Sequence, residues 1–473
     1  MKILFAASEA MPFIKIGGLG DVMGALPKTL VKKGIDARVI LPLYSIIDGE
    51  KRNNIKFLES FGVKNSWREN HCGLFRAESE GVIYYFIDNE QYFGRENVYG
   101  EYDDPERFAF FSRAVLDSLP HIDFFPDVLH ANDWHTALVP VYLNVLYRGD
   151  ERYKHIKTVL SIHNIEFQGK YDPIILGSIF GMDVTVRSLL MYDGCLNLLK
   201  GGIECADMVT TVSRTYAEEI LYPGHSHGLH NILNQRRGKI RGIINGIDTD
   251  LFNPEGDKFT AGQYNADNIR GKATAKKDLQ RSMALDMRND VPIIGMVTRL
   301  TPQKGLDLIG EVMEKIVDMD VQFVLLGTGY SEYEALMYGW EQARHDKVRS
   351  IIAFSNEMAS KIYAGADIFL MPSLSEPCGL SQMIAMRYGA IPVVHTVGGL
   401  KDTVQPFNPE TKEGTGITFQ SYNAYDMLDA IYRAVDLYHN KNLWRRLIKN
   451  AMTQDFGWDK SADEYIKLYN TII

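Results

Sequence analysis

One pattern constrains this chain more than any other: short runs rich in Val and Ile alternate with stretches of helical spacing along most of its length. A short apolar run without polar alternation is a strand covered on both faces. Strand followed by helix, repeated, builds a parallel sheet, because the crossover helix returns the chain to the same end. Residues 2–7 read as the first strand, and Lys15 to Asp21 as a glycine-rich turn. Leu19, Val22, Met23, Leu26 and Leu30 then mark one face of a helix that Gly34 stops. Further strands are predicted at 36–41, 127–131, 157–162 and 207–212. The second half repeats the pattern. Strands are predicted at 291–298, 321–326, 349–354, 366–371 and 391–395, with a helix from about 305 that buries Leu306, Ile309, Val312, Met313 and Ile316. The fold class is α/β: two Rossmann-like domains facing a deep cleft, over 1–243 and 244–455, with a closing helix over 456–473. Segment 63–105 carries neither period and reads as a loop-bearing insertion.

The bulk properties exclude several classes. A chain of 473 residues exceeds one typical domain. A net charge of −9 leaves no basic excess for a broad nucleic-acid surface. No run approaches the roughly 18 apolar residues of a membrane span. The opening apolar run is interrupted by Glu9, too early for a signal peptide, so a first strand and a cytoplasmic location are expected. Cys72, Cys195, Cys205 and Cys378 are scattered, with no zinc spacing, and no metal site is expected. There is no G-x-S-x-G elbow, G-x-G-x-x-G fingerprint or phosphate-binding G-x-x-x-x-G-K motif.

Seven segments carry polar or glycine-rich chemistry, most of them where a strand ends. Lys15-Ile16-Gly17-Gly18-Leu19-Gly20-Asp21 is either a phosphate contact at a helix start or a tight structural turn. Arg299 and Lys304, five apart beside a helix start, suit a diphosphate, and a solvated basic turn is the alternative. In Glu376-Pro377-Cys378-Gly379-Leu380, Pro377 fits a first helical turn, which places Glu376 just before a helix, as a sugar ligand or a plain cap. His163 and the segment Asp133-Trp134-His135 end strands of the first half. An aromatic face flanked by polar groups suits a sugar ring, and structural packing is the alternative. Asn245-Gly246 reads as a hinge turn, with Asn245 a candidate to face the cleft. Gly398-Gly399-Leu400 echoes the first glycine loop and is a candidate second phosphate contact.

Taken together, and in this order, these segments resemble the bacterial glycogen synthase and plant starch synthase family, essentially from end to end. The resemblance implies a GT-B type glycosyltransferase, with the last helix crossing back to the first domain. It implies a retaining transfer of glucose from ADP-glucose to the non-reducing end of an α-1,4-glucan primer, with no cofactor and no metal. Arg299 and Lys304 would hold the diphosphate, with Lys15, Gly17 and Gly18 approaching it. His163 would lie against the transferred glucose. Glu376, with Cys378, Gly379 and Leu380, would grip its hydroxyls, and Asn245 and Asp21 would complete the sugar site. Thr328 and Phe354 would face the nucleoside. Tyr99, Asp133, Trp134 and His135 would meet the acceptor. The sequence departs from the family at Ile16, usually Thr, and at Tyr330, commonly acidic. A UDP-glucose-dependent relative, or a silent glucan-binding protein, would share much of this pattern. The implied partners include neither nucleic acid nor membrane, and no feature of the sequence sets an oligomeric state.

Overall fold

The computed structural model describes residues 1–473. The chain forms two compact units. The first comprises Met1–Gly246 with Trp458–Ile473, and the second Ile247–Gly457. The junctions therefore fall after Gly246 and Gly457, a few residues beyond the expected 243 and 455. The closing helix, Trp458–Asn470, is part of the first unit.

The first unit is built on a nine-stranded sheet. Its strands are β1 (Lys2–Ala6), β2 (Asp36–Pro42), β3 (Lys56–Asn65), β4 (Arg68–Ser79), β5 (Val82–Asp88), β6 (Val128–Asn132), β7 (Lys157–Ile162), β8 (Met208–Thr211) and β9 (Ile240–Gly242). They stand in the order β9-β8-β7-β6-β1-β2-β5-β4-β3. Strands β1, β2, β5, β6, β7, β8 and β9 run parallel. The segment expected as loops instead extends the sheet: β3 pairs antiparallel with β4, and β4 with β5. The reason it was illegible is β3 itself. As the outer edge strand it buries only Val63 and Asn65, so it carries no apolar alternation.

Helix α1 (Gly18–Lys32) packs against β2, buries Leu19, Val22, Met23, Leu26 and Leu30, and ends before Gly34, whose φ of +83° suits glycine. The C-terminal helix is sealed onto the sheet by a buried polar chain. His130 on β6 meets the Tyr469 hydroxyl through Nδ1 at 2.8 Å and the Ser161 hydroxyl through Nε2 at 2.7 Å. Burial lowers the His130 pKa to about 3, so the ring is neutral and these two bonds satisfy it.

The second unit holds a six-stranded parallel sheet: β10 (Ile293–Val297), β11 (Gln322–Leu326), β12 (Val348–Ile351), β13 (Ile368–Met371), β14 (Ile391–His395) and β15 (Ile417–Phe419). The order is β12-β11-β10-β13-β14-β15. All strands are parallel, and the middle four are almost wholly buried. Helix α2 (Leu306–Asp318) follows β10 and buries Leu306, Ile309, Val312, Met313 and Ile316, the expected face. In each unit the strand order reverses once, at β1/β6 and at β10/β13. Outside the carboxyl ends of such strands the departing loops diverge and leave a crevice for ligand. No helix is long and apolar enough to cross a membrane.

Candidate active site

In the second unit the loops leaving β10 and β13 are locked together. Gly305 has φ +73°, and a side chain there would stand 2.2 Å from the Pro372 carbonyl. Leu374 N–H donates to the Gln303 carbonyl at 2.9 Å. This closure brings Arg299, Lys304, Ser373, Glu376, Gly379 and Leu380 around one pocket of about 150 Å³. Lys304 Nζ donates to Glu376 at 2.7 Å, and the Ser373 hydroxyl donates to the same carboxylate oxygen at 3.0 Å. Both ionic side chains are largely covered, while Arg299 is exposed. The pocket thus combines two cations with one fixed carboxylate.

The 376–380 segment departs from the expected helix start. Helix α3 (Ser381–Arg387) has Leu380 as its N-cap, so Pro377 is not in a first turn. Gly379 has φ +70°, and that turn swings the chain before the helix can begin. The Gln382 amide nitrogen holds the turn by donating to the Cys378 carbonyl at 3.1 Å and the Gly379 carbonyl at 2.8 Å. Cys378 does not line the pocket. It is buried, and its carbonyl faces Gly399 of helix α4 (Gly398–Thr403). The Gly399 N–H donates to the Glu376 carbonyl at 3.0 Å. The second Gly-Gly-Leu segment therefore serves close backbone packing, and the Gly399 amide is already spent. Thr328 and Phe354 lie outside this pocket, at the carboxyl ends of β11 and β12. Thr328 accepts from Leu300 N–H at 2.8 Å, and Phe354 is 80 % exposed.

In the first unit Tyr99, Asp133, Trp134, His135 and His163 gather where β6 and β7 end. Asp133 holds φ +56°, unusual for a residue with a side chain. Its carboxylate accepts the His163 N–H at 2.7 Å, and Asn164 N–H also serves it. Burial nevertheless pushes the Asp133 carboxyl up to about 7. His163 is neutral, its pKa lowered to about 4 by burial. Its Nε2 lies 3.0 Å from Asn132 Oδ1, and the Asn132 amide nitrogen donates to the Ala6 and His130 carbonyls. Oδ1 is therefore the acceptor, Nε2 carries the proton, and Nδ1 keeps a lone pair for a hydroxyl donor.

Trp134 is only 9 % exposed. Phe108 packs edge-on at 5.3 Å, and a side chain at Gly169 would strike the indole at 2.7 Å. Its ring is thus part of the packing and presents no open face of the kind the sequence suggested. His135 is stacked among Trp134, Tyr99 and Phe108, its Nδ1 is buried without a partner, and burial lowers its pKa to about 3. The Tyr99 hydroxyl bonds Ser8 at 2.8 Å. Asn245 is buried with Oδ1 unpartnered, an acceptor that a ligand's N–H or O–H would satisfy. Lys15 Nζ donates to Asp21 at 2.7 Å. No group of three or more His, Cys, Asp or Glu side chains is arranged to hold a metal ion.

The raised Asp133 carboxyl gives a pH test. Its folded pKa of about 7 lies above the ordinary carboxylate value of 3.8, so the folded state binds more protons between those limits and stability falls as pH rises through them. The thermal midpoint of the wild type should carry a declining component between about pH 4 and 7, and Asp133→Asn should flatten it. Parallel midpoint-against-pH curves for the two proteins would refute the assignment.

Comparison with known proteins gives the family. Residues 2–235 match the family model described as the starch synthase catalytic domain, and residues 282–454 match glycosyl transferases group 1. A glycogen synthase of Bacillus cereus (strain ATCC 10987 / NRS 248) is 48 % identical over 475 residues, covering 100 % of both chains. One from Clostridium botulinum (strain Alaska E43 / Type E3) is also 48 % identical, covering 100 % of this chain and 99 % of its own. The chain belongs to the glycogen synthase and starch synthase family. The catalytic domain of starch synthase IV from Arabidopsis thaliana, solved bound to ADP and acarbose, has a TM-score of 0.91 at 35 % identity, covering 100 % of this chain and 99 % of that one. Sucrose-phosphate synthase from Thermosynechococcus elongatus, 19 % identical with a TM-score of 0.63, shares the fold.

The two sheets are those of a GT-B glycosyltransferase of the glycogen and starch synthase family. One buried carboxylate of the first unit carries no motif in the sequence. Glu9 is 3 % exposed, and its Oε2 accepts from the backbone N–H groups of Ile16 and of Gly17, the latter at 2.9 Å. The available signal was its position, a carboxylate just past the first strand and within reach of the first glycine loop.

Proposed function

We propose that the chain is an ADP-glucose-dependent glycogen synthase. It transfers glucose, with retention at the anomeric carbon, to the non-reducing 4-hydroxyl of an α-1,4-glucan. The observation that carries this reading is the convergence of Arg299, Lys304 and Glu376 on one pocket at the β10/β13 reversal. Breaking the bond from the anomeric carbon to a phosphate oxygen puts negative charge on the leaving diphosphate. Cations fixed before reaction stabilise that charge most. Arg299 and Lys304 supply them, with Lys15 and the Gly17–Gly18 loop as support. Glu376, already held by Lys304 and Ser373, accepts from sugar hydroxyls, and the Gly379–Leu380 backbone lines the same wall. The lone pair on His163 Nδ1 accepts from a hydroxyl of the transferred glucose. Asn245 and Asp21 complete the sugar contacts, and Thr328 and Phe354 meet the nucleoside.

Tyr99, Asp133 and His135 face the acceptor, with Trp134 packed behind them. The acceptor 4-hydroxyl attacks from the face the phosphate leaves, and the departing phosphate oxygen takes its proton. No separate strong base, cofactor or metal is then needed. The adenine nucleotide is supported by the Arabidopsis starch synthase IV structure, which was solved with ADP. A cytoplasmic location fits a soluble polymer primer.

The test is release of ADP from ADP-glucose with and without glycogen, alongside UDP-glucose. Glycogen-dependent ADP release well above UDP release is expected. Release independent of glycogen would point to hydrolysis or another acceptor. Faster UDP release would reassign the donor, and no release from either would leave a glucan-binding protein.

A further inference from the structure

We propose that Glu9 is a positioning residue for the Lys15 loop: its carboxylate clamps the Ile16 and Gly17 amides and so fixes where the Lys15 ammonium stands. The inference rests on the reading of Lys15 as a diphosphate contact and extends it to a residue with no assigned part.

The loop between β1 and α1 is anchored at both ends by backbone. Phe13 and Ile14 N–H donate to the Ala10 carbonyl, and Met11 N–H donates to the Gly20 carbonyl, each at 3.0 Å. Between these anchors, the amides of Ile16 and Gly17 go to Glu9. The Lys15 stem rests on Gly20, where an added side chain would meet it at 3.1 Å. Its ammonium reaches Asp21. The lysine is thus held at its base by Gly20, at its tip by Asp21, and at the following two peptides by Glu9. Ile16 is 53 % exposed and supplies no packing of its own.

The place of Glu9 is unfavourable for a carboxylate. It is buried, it is near Asp133 and Asp21, and its charge is felt by the Tyr44 and Tyr99 phenols. A carboxylate in such a position is held there by the two N–H donors. The clamp also has a consequence for the anion site. The Ile16 and Gly17 amides are occupied, so a phosphate approaching this loop meets the Gly18 side and Lys15. Gly18 has open space around it, with nothing within 4 Å of where a side chain would begin.

Two substitutions separate a clamp from a charge. Glu9→Gln keeps the length and an oxygen with two lone pairs, while Glu9→Asp keeps the charge but withdraws it by one methylene. A clamp predicts that E9Q retains turnover to within about fivefold, and that E9D loses roughly 10–100-fold, as misplacement by about 1 Å does. Adding Lys15→Ala should then cost E9D less than about threefold, although it costs the wild type far more, because coupled residues are not additive. The reverse order, E9D active and E9Q inactive, would overturn the proposal, as would E9D and K15A losses that simply multiply. Hydrogen exchange on the substrate-free wild type tests the clamp without a variant or turnover. The Ile16 and Gly17 amides should be protected at least tenfold over free-peptide rates, and unprotected amides would overturn the proposal. If the wild type lacks ADP-glucose turnover, the functional reading fails, and protected amides would still register the clamp.

Discussion

Lys304→Ala should lower kcat by on the order of 10²–10³ while the protein still folds, the loss seen when one preorganised donor to a developing charge is removed. The lysine sits at the pocket wall with its ammonium 2.7 Å from Glu376. Its removal acts twice. The leaving diphosphate loses a fixed cation, and Glu376 loses the partner that aims it. Stability should suffer less than turnover. Breaking a fully buried pair costs about 3–5 kcal/mol, but here Glu376 keeps the Ser373 hydroxyl at 3.0 Å and borders the pocket rather than lying in packed interior. The measurement is ADP release under saturating donor, paired with a thermal unfolding curve. Wild-type turnover in a cooperatively folded variant would remove Lys304 from the reaction.

Gly399→Ala should damage both folding and turnover, and Gly18→Ala should not damage folding. The two positions occupy similar Gly-Gly-Leu segments, yet their surroundings differ. A methyl at 399 would stand 2.0 Å from the Cys378 carbonyl, a backbone atom that moves only if the 376–380 turn moves. Overpacking of this kind costs about 1–3 kcal/mol. The Gly399 N–H to Glu376 carbonyl bond would be strained as well, and displacement of Glu376 by about 1 Å costs on the order of 10²-fold in rate. At Gly18 a methyl meets open space, so the melting temperature should hold while the KM for ADP-glucose rises. Equal melting temperatures for G399A and the wild type would show that the turn yields freely.

These two loops also show what the sequence could and could not convey. Strands buried on both faces, such as Ile293–Val297 and Ile391–His395, announce themselves as apolar runs, and the amphipathic face of Leu306–Asp318 is written in its spacing. The edge hairpin 56–79 is silent because its outer strand buries only Val63 and Asn65, which leaves no apolar alternation to read. Glycine repeats mark where backbone must come close, but not whether the neighbour is another strand of the same chain or a ligand. The Arg299–Lys304–Glu376 group was legible because all three residues lie in loops that leave strands at the sheet's reversal. Glu9 was not, because its partners are backbone amides, which have no letter in the sequence. Pro377 misled because a proline suits a turn as well as a helix start, and Gly379 two residues on decides for the turn.

The C-terminal helix belongs to the unit whose remainder is made first. During synthesis at about 5–20 residues per second, the first sheet therefore waits on the order of 10–40 s for its last piece. Throughout that interval the seat for Tyr465 and Tyr469 on β6 lies bare, with His130 lacking the Tyr469 hydroxyl. The nascent chain thus passes through a stage with this side of the sheet uncovered, and a message truncated after Gly457 would leave every copy in that state.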